Sequence, residues 1–118
     1  MDDKTLLGNL AEIKVASHLA ERGYEIFWGV GGKTSCDLVV IKDNVASRVQ
    51  VKGCSFKNGP SWQVELKSVR SNKTVNKIHN FDSSKCELLA IYIQPEDRVV
   101  VLDASLYNDK TAAFVKSG

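Results

Sequence analysis

Residues 36–53 read CDLVVIKDNVASRVQVKG, and their patterning decides the architecture. Two apolar runs, CDLVVI and VASRVQVK, flank a polar turn from Lys42 to Asn44, which is the pattern of a β-hairpin. Side chains alternate along a strand, so Gln50 and Lys52 share a face with Ala46 and Arg48, while Val49 and Val51 point the other way. Asp37 opens the first strand, where aspartate is disfavoured, directly after the glycine-rich stretch GVGGKTS. Polar groups at strand ends beside loops are where functional groups tend to sit. Each also has a plainer reading: Asp37 as a turn cap, Gln50 and Lys52 as a solvated edge face.

Outward from the hairpin, Lys4 to Arg22 predicts a helix stopped by Gly23. Leu6, Ile13, Val15, Ala16, Leu19 and Ala20 form the face expected to pack inward, with Glu12 near its centre and Gly8 one turn earlier. The opposite face carries Lys14, Ser17, His18, Glu21 and Arg22 among Leu7, Leu10 and Ala11. A lone carboxylate on a buried face is costly unless a cation or hydrogen bonds satisfy it. A rotated helix would instead leave Glu12 in solvent.

Further strands are expected at YEIFWG, at WQVELKSV and at RVVVLD. WQVELKSV sets Trp62, Val64 and Leu66 against Gln63, Glu65 and Lys67, which predicts a half-exposed strand. ELLAIYIQ is a continuous apolar run of strand length and predicts a buried central strand. RSNKTVNKIHNFDSSK reads as polar and irregular with room for one short helix, and ASLYNDKTAAFVKSG as a short helix or a frayed end. One helix, then strands, a polar excursion and two more strands indicate an α+β class: a mixed sheet flanked by helical pieces.

The 118 residues suit a single domain over 1–118 with one real core. At 43% hydrophobic and 25% charged, the composition is that of a globular chain. The longest apolar stretch, LLAIYI, is too short to span a bilayer, and the acidic, polar MDDKTLLGNL does not read as a secretory signal. Cys36, Cys54 and Cys86 are odd in number, widely spaced and without a CxxC pair. They argue against a structural zinc site or a disulfide framework, and for reduced thiols in a cytoplasmic protein. The formal net charge is only +2, but from Lys42 to Lys77 the acids are only Asp43 and Glu65 among many lysines and arginines. Such a basic middle suits a polyanion, although solvated strand faces would look the same.

The hairpin brings Asp37 beside Gln50 and Lys52, and a helix packed on it can deliver Glu12. A hard divalent cation takes oxygen ligands, which Asp37, Glu12, the Gln50 amide oxygen and the Val51 carbonyl could supply. Lys52 would then align or activate the attacking water and neutralise charge on a phosphate. His18 and His79 are far apart without nearby ligands, which disfavours an HNH-type nuclease. GVGGKTS has the wrong glycine spacing for a phosphate-binding loop and precedes a strand, not a helix. It reads instead as a loop beside Asp37, with Lys33 a candidate DNA contact. Arg70, Lys73 and Lys77 are further candidates for phosphate contacts. Trp28, Phe56 and Trp62 could stack on bases, although aromatics at strand positions are more often core.

With Gly8 and Glu12 on a first helix, Cys36-Asp37 at a strand start and Gln50-Val51-Lys52 ending the next strand, the chain resembles the PD-(D/E)XK nuclease superfamily. In style it is most similar to small intron-encoded homing endonucleases and Holliday junction resolvases. The resemblance covers residues 5 to 55 well and the remainder only by element order. It implies a restriction-endonuclease-like core of α-β-β-β-α-β order. It also implies DNA hydrolysis with Mg2+ (Mn2+ substituting) to leave 5′-phosphates, with Glu12, Asp37, Gln50 and Lys52 at the site. Cys36 stands where the family has proline, a position that shapes backbone. Gln50 stands where it has an acid, which gives Glu12 more weight as a compensating acid. The expected activity is site-specific homing or phage-type cleavage. The alternatives are a resolvase-like nuclease, or an inactive DNA-binding module of the same fold. A chain this small has little surface for specific DNA recognition, which predicts a homodimer or higher oligomer through Leu7 and Leu10 or the C-terminal segment.

Overall fold

The computed structural model describes residues 3–29, 36–71 and 76–118, and the side chains of all of these but 68–71 and 76–78. Helix α1 spans Asp3–Glu21 and is followed by β1 (Glu25–Trp28), β2 (Leu38–Lys42) and β3 (Val45–Cys54). The two residues between β2 and β3, Asp43 and Asn44, both have positive φ (53° and 64°). That is the backbone of a tight hairpin turn, which Asp and Asn tolerate better than most residues. Short strands β4 (Lys57–Asn58), β5 (Ser61–Glu65), β6 (Ser68–Ser71) and β7 (Asn76–His79) come next. The chain then forms β8 (Leu88–Ile93), β9 (Arg98–Asp103) and β10 (Ala112–Lys116).

The main sheet has the order β1-β2-β3-β8-β9. All its pairings are antiparallel except β3 with β8, which run parallel from Val49↔Leu88 to Cys54↔Ile93. Arg48 and Glu87 lock the start of that pairing: Glu87 N donates to Arg48 O, and Arg48 N and Nε donate to Glu87 Oε1 at 2.8 and 3.1 Å. The predicted central strand is the observed one, and its continuous apolar run has a structural cause. Leu89, Ile91 and Ile93 of β8 face one core, shared with Trp62, Val64, Leu66, Ala113 and Val115. Ala90 and Tyr92 face the other, with Ala11, Val15 and Leu19 of α1 and with Val49 and Val51. The main sheet is thus the middle of three layers, α1 on one face and the small β10-β5-β4 sheet on the other.

The α+β mixed-sheet class holds. Three local expectations give way. Parallel strands need a long crossover, usually a helix. Among the described residues the β3-to-β8 crossover is instead strands and a 3-10 turn at Ser83–Lys85 where the α-β-β-β-α-β order places a second helix. The period-two alternation of Trp62, Val64 and Leu66 explains this, because it supplies the covering layer as a strand. The polar excursion contains the β6–β7 hairpin, paired Ser68↔His79 to Ser71↔Asn76. The C-terminal stretch is neither helix nor frayed beyond a 3-10 turn at Ala104–Tyr107: β10 pairs with β5 from Ala112↔Glu65 to Lys116↔Ser61. Glu96 holds that end, accepting from Trp62 Nε1 (2.9 Å), Ser117 Oγ (2.8 Å) and Arg98 Nε (2.9 Å).

The helix is also rotated from its expected setting. Ala11, Val15 and Leu19 are buried and Leu7 and Leu10 pack against them, whereas Leu6 and Ile13 are 51% and 61% exposed. Apolar residues nearly surround this helix, so hydrophobicity alone does not set its rotation. Fit does: Ala11 lets α1 lie close to the sheet, and Leu7 settles over Gly53. Lys14 adds a tether, 3.0 Å from Asp97 Oδ1, which also accepts from Tyr92 Oη at 2.7 Å. Leu7 and Leu10, expected as an oligomer contact, are thus half-buried against the core. A Cβ on Gly53 would lie 2.7 Å from Leu7 Cγ. Gly53→Ala is expected to destabilise the protein by about 1–2 kcal/mol net of its backbone-entropy gain, measured by urea unfolding.

Candidate active site

Strand β3 outruns its hairpin partner. Leu38 of β2 pairs with Val49, and Gln50 to Cys54 continue past the end of β2. The result is a notch at the sheet edge, and Asp37 occupies its near end. Asp37 N donates to Val49 O at 3.0 Å, extending the ladder by one bond. Its carboxylate then turns back: Oδ2 accepts from Val51 N at 2.8 Å and from Gln50 Nε2 at 2.9 Å. Strand geometry sends the N–H and C=O of one residue to the same edge, so the Val51 carbonyl faces the notch as well. With its Nε2 engaged, the Gln50 amide has Oε1 left to act as an acceptor.

The rotation of α1 sets Glu12 at the margin of the buried helix face, half-buried. Its carboxyl is raised above the usual range, first by burial and then by the charge of Asp37. The two carboxylates are thus near enough to repel. A folded-state pKa that is raised favours folding at low pH, and this contribution fades as pH rises through the folded value. In metal-free protein, Glu12→Gln should therefore raise the melting temperature relative to wild type at neutral pH. The gap should close as the pH falls below the ordinary glutamate range, as read from thermal melts across pH.

Lys52 lies two residues beyond Gln50 on the same side of β3, half-buried, and forms no ion pair among the described residues. Asp37, Gln50 and Val51 are therefore joined by hydrogen bonds, Glu12 is near enough for the charge of Asp37 to raise its pKa, and Lys52 stands next along the strand. Lys33 and Lys73 lie outside the described residues. Arg70 and Lys77 sit opposite each other in the β6–β7 hairpin, with their side chains undescribed. Of the aromatics, Trp62 is core while Trp28 and Phe56 are exposed. Sequence reasoning misses the Val51 N–H as a partner of Asp37, because backbone donors carry no residue signature.

A hard cation fits this donor set. The Asp37 and Glu12 carboxylates, the Gln50 amide oxygen and the Val51 carbonyl are all oxygen donors of the kind such ions take, and Asp37 is tied directly to Gln50 and Val51. Among the described residues no group of three or more His, Cys, Asp or Glu side chains is placed to hold a metal ion.

The chain belongs to the PD-(D/E)XK endonuclease family, which it matches over residues 1–116. In fold it is similar to a bacterial homing endonuclease, I-Ssp6803I, with a TM-score of 0.86 at 15% identity, covering 99% of this chain and 80% of that one. No curated protein matches the sequence. No helix among the described residues is long and apolar enough to cross a membrane.

Proposed function

We propose that residues 1–118 act as one nuclease domain, a magnesium-dependent DNA endonuclease that hydrolyses phosphodiester bonds to 5′-phosphates. The observation that carries this reading is the notch at the end of β2, where Asp37, Gln50 and Val51 are hydrogen-bonded together with Glu12 beside them. Asp37, Glu12, the Gln50 Oε1 and the Val51 carbonyl would hold the ion. Bound there, magnesium would supply charge stabilisation at the scissile phosphate. Asp37 is held in place by two donors before any ligand arrives, so the site is pre-organised on rigid strands. Lys52, without an ion pair among the described residues, brings an ammonium beside it, suited to orienting a water and balancing phosphate charge. The likeness in fold to a homing endonuclease supports a homing-type role. The reading extends to a homo-oligomer acting in the cytoplasm. With Leu7 and Leu10 packed inward, exposed Leu6 and Ile13 on α1 are the better candidates for a subunit contact.

The test is cleavage of linear and branched DNA with and without magnesium, for wild type and Lys52→Ala. Wild type should cut only with the metal and prefer linear duplex, and Lys52→Ala should be slower by about 10²–10³-fold. A preference for branched DNA would favour a resolvase. Tight binding without cleavage by wild type would favour an inactive binding module.

A further inference from the structure

A groove of about 580 Å³ lies between the first turns of α1, the end of β3 and the outer face of β5. Its walls include Lys4, Gly8, Gly53, Phe56, Gln63 and Lys67. Gly8 lies one helical turn before Glu12, and Gly53 follows Lys52, so the groove is lined by the same two elements, α1 and β3, that carry Glu12 and Lys52. A Cβ on Gly8 would meet nothing within 4 Å. The chain's own packing therefore does not require glycine there, yet glycine keeps that wall open.

The outer face of the small sheet is unusual for a solvent surface. Phe56 and Phe114 are 63% and 57% exposed. Gln63 lies between them, paired with Phe114 across β10 and donating its N–H to Phe56 O at 3.0 Å. Asn58 Nδ2 donates to Gln63 Oε1 at 3.0 Å, which orients the amide and leaves Nε2 as an outward donor. Lys4 and Lys67 flank the groove, and its acid, Glu65, lies 3.8 Å from Lys67. Lysines, an exposed aromatic ring and an oriented amide, side by side, are what hold a nucleic-acid strand. They serve, in turn, the phosphates, a base or sugar face, and a base edge. The volume lies within the range of about 300–1,000 Å³ typical of small-molecule sites, enough for a nucleotide but not for a duplex.

We infer that this groove seats the nucleotide next to the scissile bond, with Lys4 and Lys67 on phosphates, Phe56 against the base and Gln63 on its edge. Gln63 is then a specificity-determining residue. The inference rests on the endonuclease reading and deepens it. It is tested with the full chain on two probes: a labelled mixed-sequence duplex for binding, in an Asp37→Asn background, and a supercoiled plasmid with magnesium for cutting. Phe56→Ala should weaken binding by about tenfold, and Phe56→Trp should restore it. Lys4→Gln combined with Lys67→Gln should lower the dependence of log affinity on log salt by roughly 2. Gln63→Ala should relax the base preference beside the cut, read by sequencing the plasmid ends, with the melting temperature unchanged. Unaltered binding, salt slope and cut-site preference in these variants, with a wild type that cuts, would overturn the groove assignment alone. A wild type that neither binds nor cuts either probe would overturn the endonuclease reading and the groove with it.

Discussion

Asp37→Asn lowers the single-turnover rate of DNA cleavage by about 10²–10³-fold or more while the protein stays folded. The substitution separates the two things Asp37 does. Its Oδ2 accepts from Val51 N at 2.8 Å and from Gln50 Nε2 at 2.9 Å, and an amide oxygen can accept the same two bonds. The strand end should keep its shape, so the melting temperature of the variant should stay close to that of wild type. What is lost is the negative charge. With it goes most of the attraction for a divalent cation, because Glu12 would be the remaining carboxylate at the notch. Magnesium binding followed by calorimetry should weaken in step with the rate. By contrast, Asp37→Ala would also strand the Val51 N–H, mixing a stability defect into the kinetics. A folded Asn variant that cuts at the wild-type rate would remove Asp37 from the reaction.

How far the sequence discloses such a site depends on which forces position each part. The hairpin is legible because strand alternation and an Asp-Asn turn are local: residues 36–53 carry their own geometry. The β8 strand is legible because burial on both faces demands an unbroken apolar run. The rotation of α1 is not, because apolar side chains nearly surround it. Its setting comes from Leu7 over Gly53 and Lys14 on Asp97, contacts with residues far along the chain. Glu12 is therefore expected at the centre of the inward face and is found at its margin, half-buried, where the charge of Asp37 still raises its pKa. The β10 strand is hidden for a similar reason. AAFVK is too short to declare itself, and it is fixed by pairing with β5 far earlier in the chain. The groove beside the site is hidden too, because its walls come from α1, β3 and β5 and none carries a motif. Phe56 and Gln63 come side by side only through the Gln63 N–H bond to the Phe56 carbonyl, and Phe114 joins the row by pairing across β10.

Gln50→Glu would replace the amide by the acid more usual in this family, and it is expected to trade stability for cation affinity. In the present chain Gln50 Nε2 donates to Asp37 Oδ2 at 2.9 Å. An ionised carboxylate has no donor, so the substitution removes a hydrogen bond to a charged group, worth about 1.5–3 kcal/mol. It also sets a third negative charge beside Asp37 and Glu12, with repulsion of up to about 4 kcal/mol per close pair in a partly solvated setting. The metal-free variant should therefore be less stable than wild type by about 2–4 kcal/mol at neutral pH. The sign across pH follows from the proton. Repulsion raises the folded-state pKa of the introduced carboxyl, so the penalty is absent below its unfolded value of about 4.3 and grows as pH rises through the folded one. Magnesium reverses the balance, since a cation turns the same repulsion into attraction, and affinity should rise by about tenfold or more. Thermal melts with and without the ion would show both effects in one experiment: a lower melting temperature without magnesium and a larger upward shift with it. Equal shifts in wild type and variant would mean that position 50 does not face the cation. Gln50 would then serve only to hold Asp37, leaving Glu12, Asp37 and the Val51 carbonyl as the whole donor set.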